Sequence, residues 1–185
     1  PGTEVAGIVS EVAADVHHVK PGDQVVAILD WGGFAEEAVV TAETVYPLPA
    51  GLELGMAVSL PLTYGTSYSA LHWRARIAPG QTLLVHGAAG GVGLAAVELG
   101  RMAGARVIAT ASSEEKLEMA RQRGADHTIL SGSSDLVKSV KELTGGYGAE
   151  VIYDPVGGDL FDASLRCIAP EGKIIIIGFA SGRIP

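Results

Sequence analysis

The 185-residue sequence predicts an α/β fold, in which helices cover both faces of a parallel sheet and a β-rich segment precedes it. Two observations support this prediction. From residue 81 onward, short apolar segments alternate with segments of helical length, which is the pattern of a doubly wound parallel sheet. Before residue 50, strand-length segments are separated by turns rich in glycine and proline, which is typical of a small barrel or sandwich.

The β-rich segment is expected to contain strands at 5–12, 24–29 and 35–41. A turn at 20–23 separates the first two strands, because Pro21 and Gly22 each favour backbone angles that interrupt a strand. Two prolines, Pro47 and Pro49, then end the segment. Helical structure is expected from 52 to about 76, with an interruption at Pro61.

The rest of the chain is expected to alternate strands with helices. The strands are predicted at 82–86, 106–110, 128–130, 151–154 and 173–177, and the helices at 91–103, 113–123, 135–144 and 159–168. Ser113 can cap its helix through its hydroxyl, and Gly124 can end that helix in a left-handed conformation. The domain boundary is placed between residues 57 and 58, so that a β domain spans 1–57 and an α/β domain spans 58–185.

Composition and charge argue against several classes of partner. The net charge of −8, from 21 acidic and 13 basic residues, disfavours a nucleic-acid or anionic membrane surface. No segment has the length and apolarity of a membrane span. The single cysteine, Cys167, permits neither an internal disulfide nor a thiolate zinc cage, and its apolar surroundings predict a core position. We expect a small-molecule partner and a cytoplasmic location, with a mitochondrial one left open.

A glycine-rich turn joins the first strand of the α/β region to its first helix. Residues 87–93 read Gly-Ala-Ala-Gly-Gly-Val-Gly, and small side chains let a phosphate approach the backbone at the positive end of the helix. This context predicts a Rossmann fold that binds a dinucleotide through Gly90, Gly91, Val92 and Gly93. The alternative is a tight strand-to-helix turn that binds no ligand.

The end of the second strand indicates which dinucleotide is bound. A carboxylate at that position would bind the free ribose hydroxyls of NAD, but residues 109–113 read Ala-Thr-Ala-Ser-Ser. Ser112 can donate to a phosphate, and Lys116 lies within reach on the following helix, which favours the 2′-phosphate of NADPH. Glu114 and Glu115 are close in sequence, but they are also well placed to stabilise the positive end of that helix.

Two segments resemble the medium-chain dehydrogenase/reductase superfamily, and within that superfamily they resemble the quinone oxidoreductase (zeta-crystallin-like) branch. Residues 2–9, with the Pro-Gly-Asp turn at 21–23, are similar to the signature of the superfamily's GroES-like domain. Residues 80–93 are very similar to the quinone oxidoreductase signature, although Glu98 stands where the family usually has glutamine. Zinc enzymes of the superfamily have a histidine ligand where this chain has Thr3, so the resemblance is to the zinc-free branch and implies no metal site.

The resemblance implies further contacts with the cofactor. Thr66 matches a family threonine near the nicotinamide. Segments after the fourth and fifth strands lie where ligands bind in such sheets, and the implied contacts there are Val156, Gly157, Gly178, Phe179 and Ala180.

The implied reaction is zinc-independent hydride delivery from NADPH to quinones or related conjugated enones. An enoyl-thioester reductase and a non-catalytic NADPH-binding protein are the alternatives. Tyr64 is the candidate proton donor, and a packing role for its ring is the competing interpretation.

The resemblance also implies that the chain is a fragment. Relatives have a longer amino-terminal barrel portion before Gly2 and continue past Pro185 with more sheet and barrel elements. The β domain is therefore expected to be part of a GroES-like barrel, and the parallel sheet is expected to lack its last strand. A homodimer formed through the sheet edge is left open.

Overall fold

The computed structural model describes residues 1–132 and 135–185, which form two compact units, Pro1–Gly65 and Thr66–Pro185. The domain boundary between residues 57 and 58 stays a prediction. Among the described residues, every helix is too short or too polar to cross a membrane.

The first unit is built on a small antiparallel sheet. Its strands are β1 (Glu4–Ile8), β2 (Gln24–Ile28) and β3 (Val45–Pro47), with β2 in the middle. A small core is formed by Val19, which precedes β2 in the chain, together with Ala27 of β2 and Val45 of β3. A short 3₁₀ helix, Ala42–Thr44, leads directly into β3.

The prediction of a strand at 35–41 is wrong. Val39 is fully exposed, and no strand of the described residues pairs with this segment. Whether a segment forms a strand depends on pairing, because an extended segment without a neighbouring strand leaves its backbone N–H and C=O groups without partners. The third strand instead forms at β3, where Pro47 is tolerated because the strand lies at the edge of the sheet.

A helical region follows β3, as predicted, and its winding changes along its length. It begins with α1 (Leu54–Ala57), widens into a π-helical turn at Leu60–Tyr64, and continues through α2 (Gly65–Tyr68) and a second π-helical stretch, Ser69–Ala75. Pro61 has no N–H to donate, which accounts for the interruption.

The second unit is a doubly wound α/β fold. Its described strands are β4 (Thr82–Val85), β5 (Arg106–Ala111), β6 (His127–Leu130), β7 (Ala149–Asp154) and β8 (Ile168–Ile176), and its helices are α3 (Gly91–Met102), α4 (Glu114–Gln122), α5 (Leu136–Leu143) and α6 (Asp159–Cys167). Within the described residues the parallel sheet has the order β6-β5-β4-β7-β8, which is the Rossmann order and confirms the predicted fold class.

Alternate residues of the central strands face two separate cores, one on each side of the sheet. Leu83 and Val85 of β4 pack into one core with Val97 of α3, whereas Leu84 packs into the other with Val140 of α5. Cys167 lies buried in the second core, as predicted. Burial on both faces explains why these strands read as continuous apolar runs in the sequence.

The last strand begins earlier than its predicted start at residue 173. Ile168 already pairs with Ala149 of β7, and an irregularity in the pairing then precedes the Val151–Lys173 pair. The sequence does not indicate this first part of the strand, because Pro170 and Gly172 are residues that normally interrupt strands. In the structure both are accommodated at the bulge.

Candidate functional site

The glycine-rich turn lies at the carboxyl end of β4, where the order of the strands reverses. Neighbouring strands β5 and β7 pair with opposite edges of β4, so a crevice opens at this point. Gly87 takes a left-handed conformation with φ of 56°, and the next amide, Ala88 N–H, donates to the carbonyl of Thr110 at 2.9 Å. The turn is thus attached to the end of β5.

The first amides of α3 point out of the amino terminus of the helix. The earliest intrahelical bond is donated by Leu94 N–H to the Gly90 carbonyl at 2.8 Å, so Gly91, Val92 and Gly93 have no partners within the helix for their amides. Gly90 and Gly91 are exposed. These free amides and the helix dipole form an anion site of the kind that binds a pyrophosphate.

Gly93 is buried where α3 approaches the turn most closely. A Cβ atom at this position would lie against the Gly87 carbonyl oxygen and 2.9 Å from Ala88 Cα. Only glycine therefore fits at position 93.

Ser112 and Lys116 meet at the end of β5. Lys116 Nζ donates to Ser112 Oγ at 3.1 Å, and both side chains are exposed. Ser113 caps α4 by accepting from Lys116 N–H at 3.4 Å, as predicted. Glu114 pairs with Arg121 at 3.5 Å rather than with Lys116. The two residues proposed for the 2′-phosphate are therefore together, and no ion pair among the described residues involves Lys116.

Asp154 is a buried residue at the carboxyl end of β7 that the candidate site residues did not include. Its Oδ1 accepts from the amides of Val156 and Gly157, both at 2.9 Å, which folds the chain sharply after the strand. Gly157 has φ of 69°, as this turn requires. A carboxylate that ends an apolar strand and precedes a Pro-Val-Gly-Gly sequence is the signal that would have identified it.

The segment after β8 lies alongside the turn after β7. Ala180 N–H donates to the Pro155 carbonyl at 3.2 Å, and Ser181 N–H donates to the Val156 carbonyl at 2.9 Å. These bonds place Gly178, Phe179 and Ala180 next to Val156 and Gly157. The five residues expected after the fourth and fifth strands are thus gathered at the carboxyl edge of the sheet, with Phe179 half-exposed.

His86 is fully buried beneath the glycine-rich turn. Its Nδ1 lies 2.9 Å from Thr110 Oγ1, and its Nε2 lies 2.8 Å from Ser164 Oγ. Ser164 donates its own proton to the Leu160 carbonyl, so Nε2–H donates to Ser164 and Nδ1 accepts from Thr110. Burial lowers the pKa of His86 to about 4, partly offset by the nearby Asp154 carboxylate. His86 is therefore neutral at neutral pH, and it joins β4, β5 and α6.

Thr66 and Tyr64 lie on the helical region that precedes β4. Thr66 is half-buried and directly precedes Ser67, which is fully buried. Ser67 Oγ donates to the carbonyl of Val92 at 2.9 Å, which ties α2 to the first turn of α3. Tyr64 is half-buried at the end of the π-helical turn Leu60–Tyr64, in the first unit.

The described residues contain no group of three or more histidine, cysteine, aspartate or glutamate side chains close enough to hold a metal ion. Cys167 is a buried thiol whose pKa is raised by burial, with a smaller opposing effect from the positive charges of Lys141 and Arg166.

Comparison with known proteins gives matches over the whole chain. A zinc-binding dehydrogenase family model matches residues 91–185, and an alcohol dehydrogenase GroES-like domain model matches residues 1–50. Quinone oxidoreductase-like protein 2 of Rattus norvegicus is 43% identical over 185 residues, covering 100% of this chain and 53% of the relative. The chain spans about half the length of the curated relatives it matches.

Solved structures show the same architecture. Escherichia coli quinone oxidoreductase complexed with NADPH has a TM-score of 0.92 and 37% identity, covering 100% of this chain and 57% of that chain. CurK enoyl reductase has a TM-score of 0.89 and 34% identity, covering 96% of this chain and 54% of that chain.

Proposed function

Because the chain belongs to the zinc-binding dehydrogenase family, within the medium-chain dehydrogenase/reductase superfamily, we propose that it binds NADPH and that the protein reduces quinones or related conjugated enones. The proposed reaction does not use zinc, since Thr3 stands where zinc enzymes of the superfamily have a histidine ligand. The observation that carries the proposal is the pairing of Lys116 with Ser112 at the strand end beside the glycine-rich turn.

The residues at the carboxyl edge of the sheet fit NADPH in charge and in shape. The amides of Gly91, Val92 and Gly93 lack intrahelical partners and are proposed to bind the pyrophosphate. Lys116 and Ser112 offer a cation and a hydroxyl for the 2′-phosphate, and no carboxylate ends β5 to repel it. NAD has no 2′-phosphate, so bound NAD would leave Lys116 without an anionic partner.

The remaining proposed contacts orient the other half of the cofactor. Bound NADPH supplies a hydride to an electron-poor acceptor. The turn after β7, formed around Asp154, places Val156 and Gly157 beside Gly178 and Phe179, where these residues would pack against the cofactor and exclude water. Tyr64 is the proposed proton donor, and packing of its ring is the competing role.

An enoyl-thioester reductase is the second candidate. The likeness to CurK enoyl reductase, with a TM-score of 0.89, favours it over unrelated activities of the superfamily. Reduction of an enone and reduction of an enoyl thioester both place a hydride on the carbon β to a carbonyl, so the same cofactor site would serve either substrate.

The substrate class can be tested by following NADPH oxidation with the whole protein. We expect a quinone or a simple enone to be reduced faster than an enoyl thioester, and we expect a chelator to leave the rate unchanged. Preferred reduction of the thioester would replace the leading proposal with the second one. Tight NADPH binding with no turnover of any acceptor would indicate a non-catalytic NADPH-binding protein.

Replacing Lys116 with alanine is expected to weaken NADPH binding about tenfold and to leave NADH binding unchanged, because a charge-assisted contact with the 2′-phosphate is lost. Fluorescence titration with each nucleotide measures both affinities. The matched control is Lys138→Ala, which removes an exposed lysine that pairs with Glu142 on α5. An equal loss of affinity for both nucleotides would remove Lys116 from the phosphate site.

A further inference from the structure

Two buried hydroxyl groups connect three elements of the second unit. Ser67 Oγ and Tyr153 OH are 2.8 Å apart, both residues are fully buried, and Ser67 Oγ also lies 2.9 Å from the carbonyl oxygen of Val92. The pair, here called the hydroxyl clamp, thus links α2, the first turn of α3 and the end of β7.

The direction of each hydrogen bond follows from which of the three groups carries a proton to donate. The carbonyl of Val92 can only accept, so the single proton of Ser67 is donated to it. Tyr153 must then donate its phenolic proton to Ser67 Oγ. The neutral phenol suits this role, and burial raises the pKa of Tyr153, although the hydrogen bond with Ser67 opposes that effect.

The bond to Val92 is additional to the helix's own hydrogen bonds. A carbonyl in the first turn of a helix also accepts from the amide four residues later, and its second lone pair is free for Ser67. Two apolar side chains could fill the same space without burying polar groups, which are costly to desolvate. A buried hydroxyl pair at this place is therefore better explained by a need for fixed geometry than by packing.

The clamp lies between the two parts of the proposed cofactor site. Val92 belongs to the amide cluster assigned to the pyrophosphate, and Thr66, assigned to the nicotinamide end, is the immediate neighbour of Ser67. Consecutive Cα atoms are about 3.8 Å apart, so fixing Ser67 also fixes Thr66. Ser67 is the buried residue of the four-residue α2, so loss of the clamp would loosen this turn from α3, although the stretch Ser69–Ala75 that follows stays packed in the core.

We propose that Ser67 and Tyr153 are positioning residues, which hold Thr66 at a set distance from the amino terminus of α3 and so prepare the chain to bind the nicotinamide half of NADPH. This inference rests on the proposed function and extends it to residues that have no direct contact with the cofactor. Preorganisation of this kind raises affinity because fewer groups are ordered upon binding.

The test compares NADPH with 2′,5′-ADP, which carries the adenosine phosphates but has no nicotinamide. In Ser67→Ala, we expect the Kd for NADPH to rise about tenfold and the Kd for 2′,5′-ADP to stay within about twofold, because one buried hydrogen-bond network is lost. Tyr153→Phe keeps the bond between Ser67 and Val92, so a smaller rise of about threefold is expected. Tyr147→Phe, which removes an exposed hydroxyl, is the matched control.

The double variant Ser67→Ala/Tyr153→Phe separates positioning from stability. It leaves no buried hydroxyl without a partner, so its melting temperature is expected to recover relative to Ser67→Ala while NADPH affinity stays low. The inference would be overturned if both the melting temperature and the NADPH affinity recovered in the double variant. It would also be overturned if Ser67→Ala weakened the binding of NADPH and of 2′,5′-ADP equally. Failure of the unchanged chain to bind either nucleotide would instead count against the proposed function. Tyr153→Phe and the double variant keep the test decisive if Ser67→Ala does not fold.

Discussion

Replacing Gly93 with alanine is expected to weaken NADPH binding about 100-fold and to lower the free energy of unfolding by about 3 kcal/mol. The new methyl group would lie against the Gly87 carbonyl oxygen and 2.9 Å from Ala88 Cα, which is closer than van der Waals contact allows. The turn cannot retreat easily, because Ala88 N–H is bonded to Thr110 at the end of β5. The start of α3 must therefore move, and the amides proposed for the pyrophosphate move with it.

Urea denaturation and nucleotide titration measure the two effects on the same variant. Gly132→Ala is the matched control, since Gly132 has open space around its Cα and no positive φ. We expect the control to change the free energy of unfolding by less than about 1 kcal/mol. A Gly93→Ala variant that binds NADPH with unchanged affinity would show that the helix terminus does not hold the phosphates.

His86 is expected to make the second unit progressively less stable as the pH falls from about 6.5 towards 4. Its folded-state pKa of about 4 is below the ordinary value of 6.5, so the unfolded chain binds the proton more readily in this range. The stabilisation is complete above pH 6.5 and is lost as the pH approaches 4. A difference of this size corresponds to about 3 kcal/mol.

Urea denaturation at several pH values between 7 and 4 tests this expectation. His86→Gln is expected to be less stable at pH 7, because its side chain must replace the bonds to Thr110 and Ser164, and it should lose most of the decline below pH 6.5. His17→Gln, which changes an exposed histidine and keeps His86, is the control. If the stability of His86→Gln declines by the same amount below pH 6.5, groups other than His86 cause the pH dependence.

Much of the second unit could be predicted from local patterns in the sequence. The strand before Gly87, the glycine-rich turn and the apolar helix after it are adjacent in the chain, so one short segment contains the whole signal. Ser112 and Lys116 are four residues apart at a strand end and a helix start, and that spacing alone suggested that they meet.

Contacts between distant parts of the chain could not be predicted in this way. Ser67 and Tyr153 are 86 residues apart and lie on different elements, and their hydroxyls meet only when the sheet has formed. The segment at 35–41 has the composition of a strand, but whether it forms one depends on a partner that local composition does not report. Asp154 differs from these cases, because the amides that it accepts from, Val156 and Gly157, are two and three residues away, and the Asp-Pro-Val-Gly-Gly sequence is a local signal for this turn.

The central position of β4 affects how the chain folds during synthesis. Its partner on one side, β7, comes much later in the chain, and Thr82 is 68 residues from Glu150, whose carboxylate accepts from its amide. At a synthesis rate of roughly 5–20 residues per second, β7 is synthesised about 3 to 14 seconds after β4, and that edge of β4 has no partner until then. An apolar strand edge that has no partner during this interval is the kind of surface that chaperones recognise and that can pair with other nascent chains.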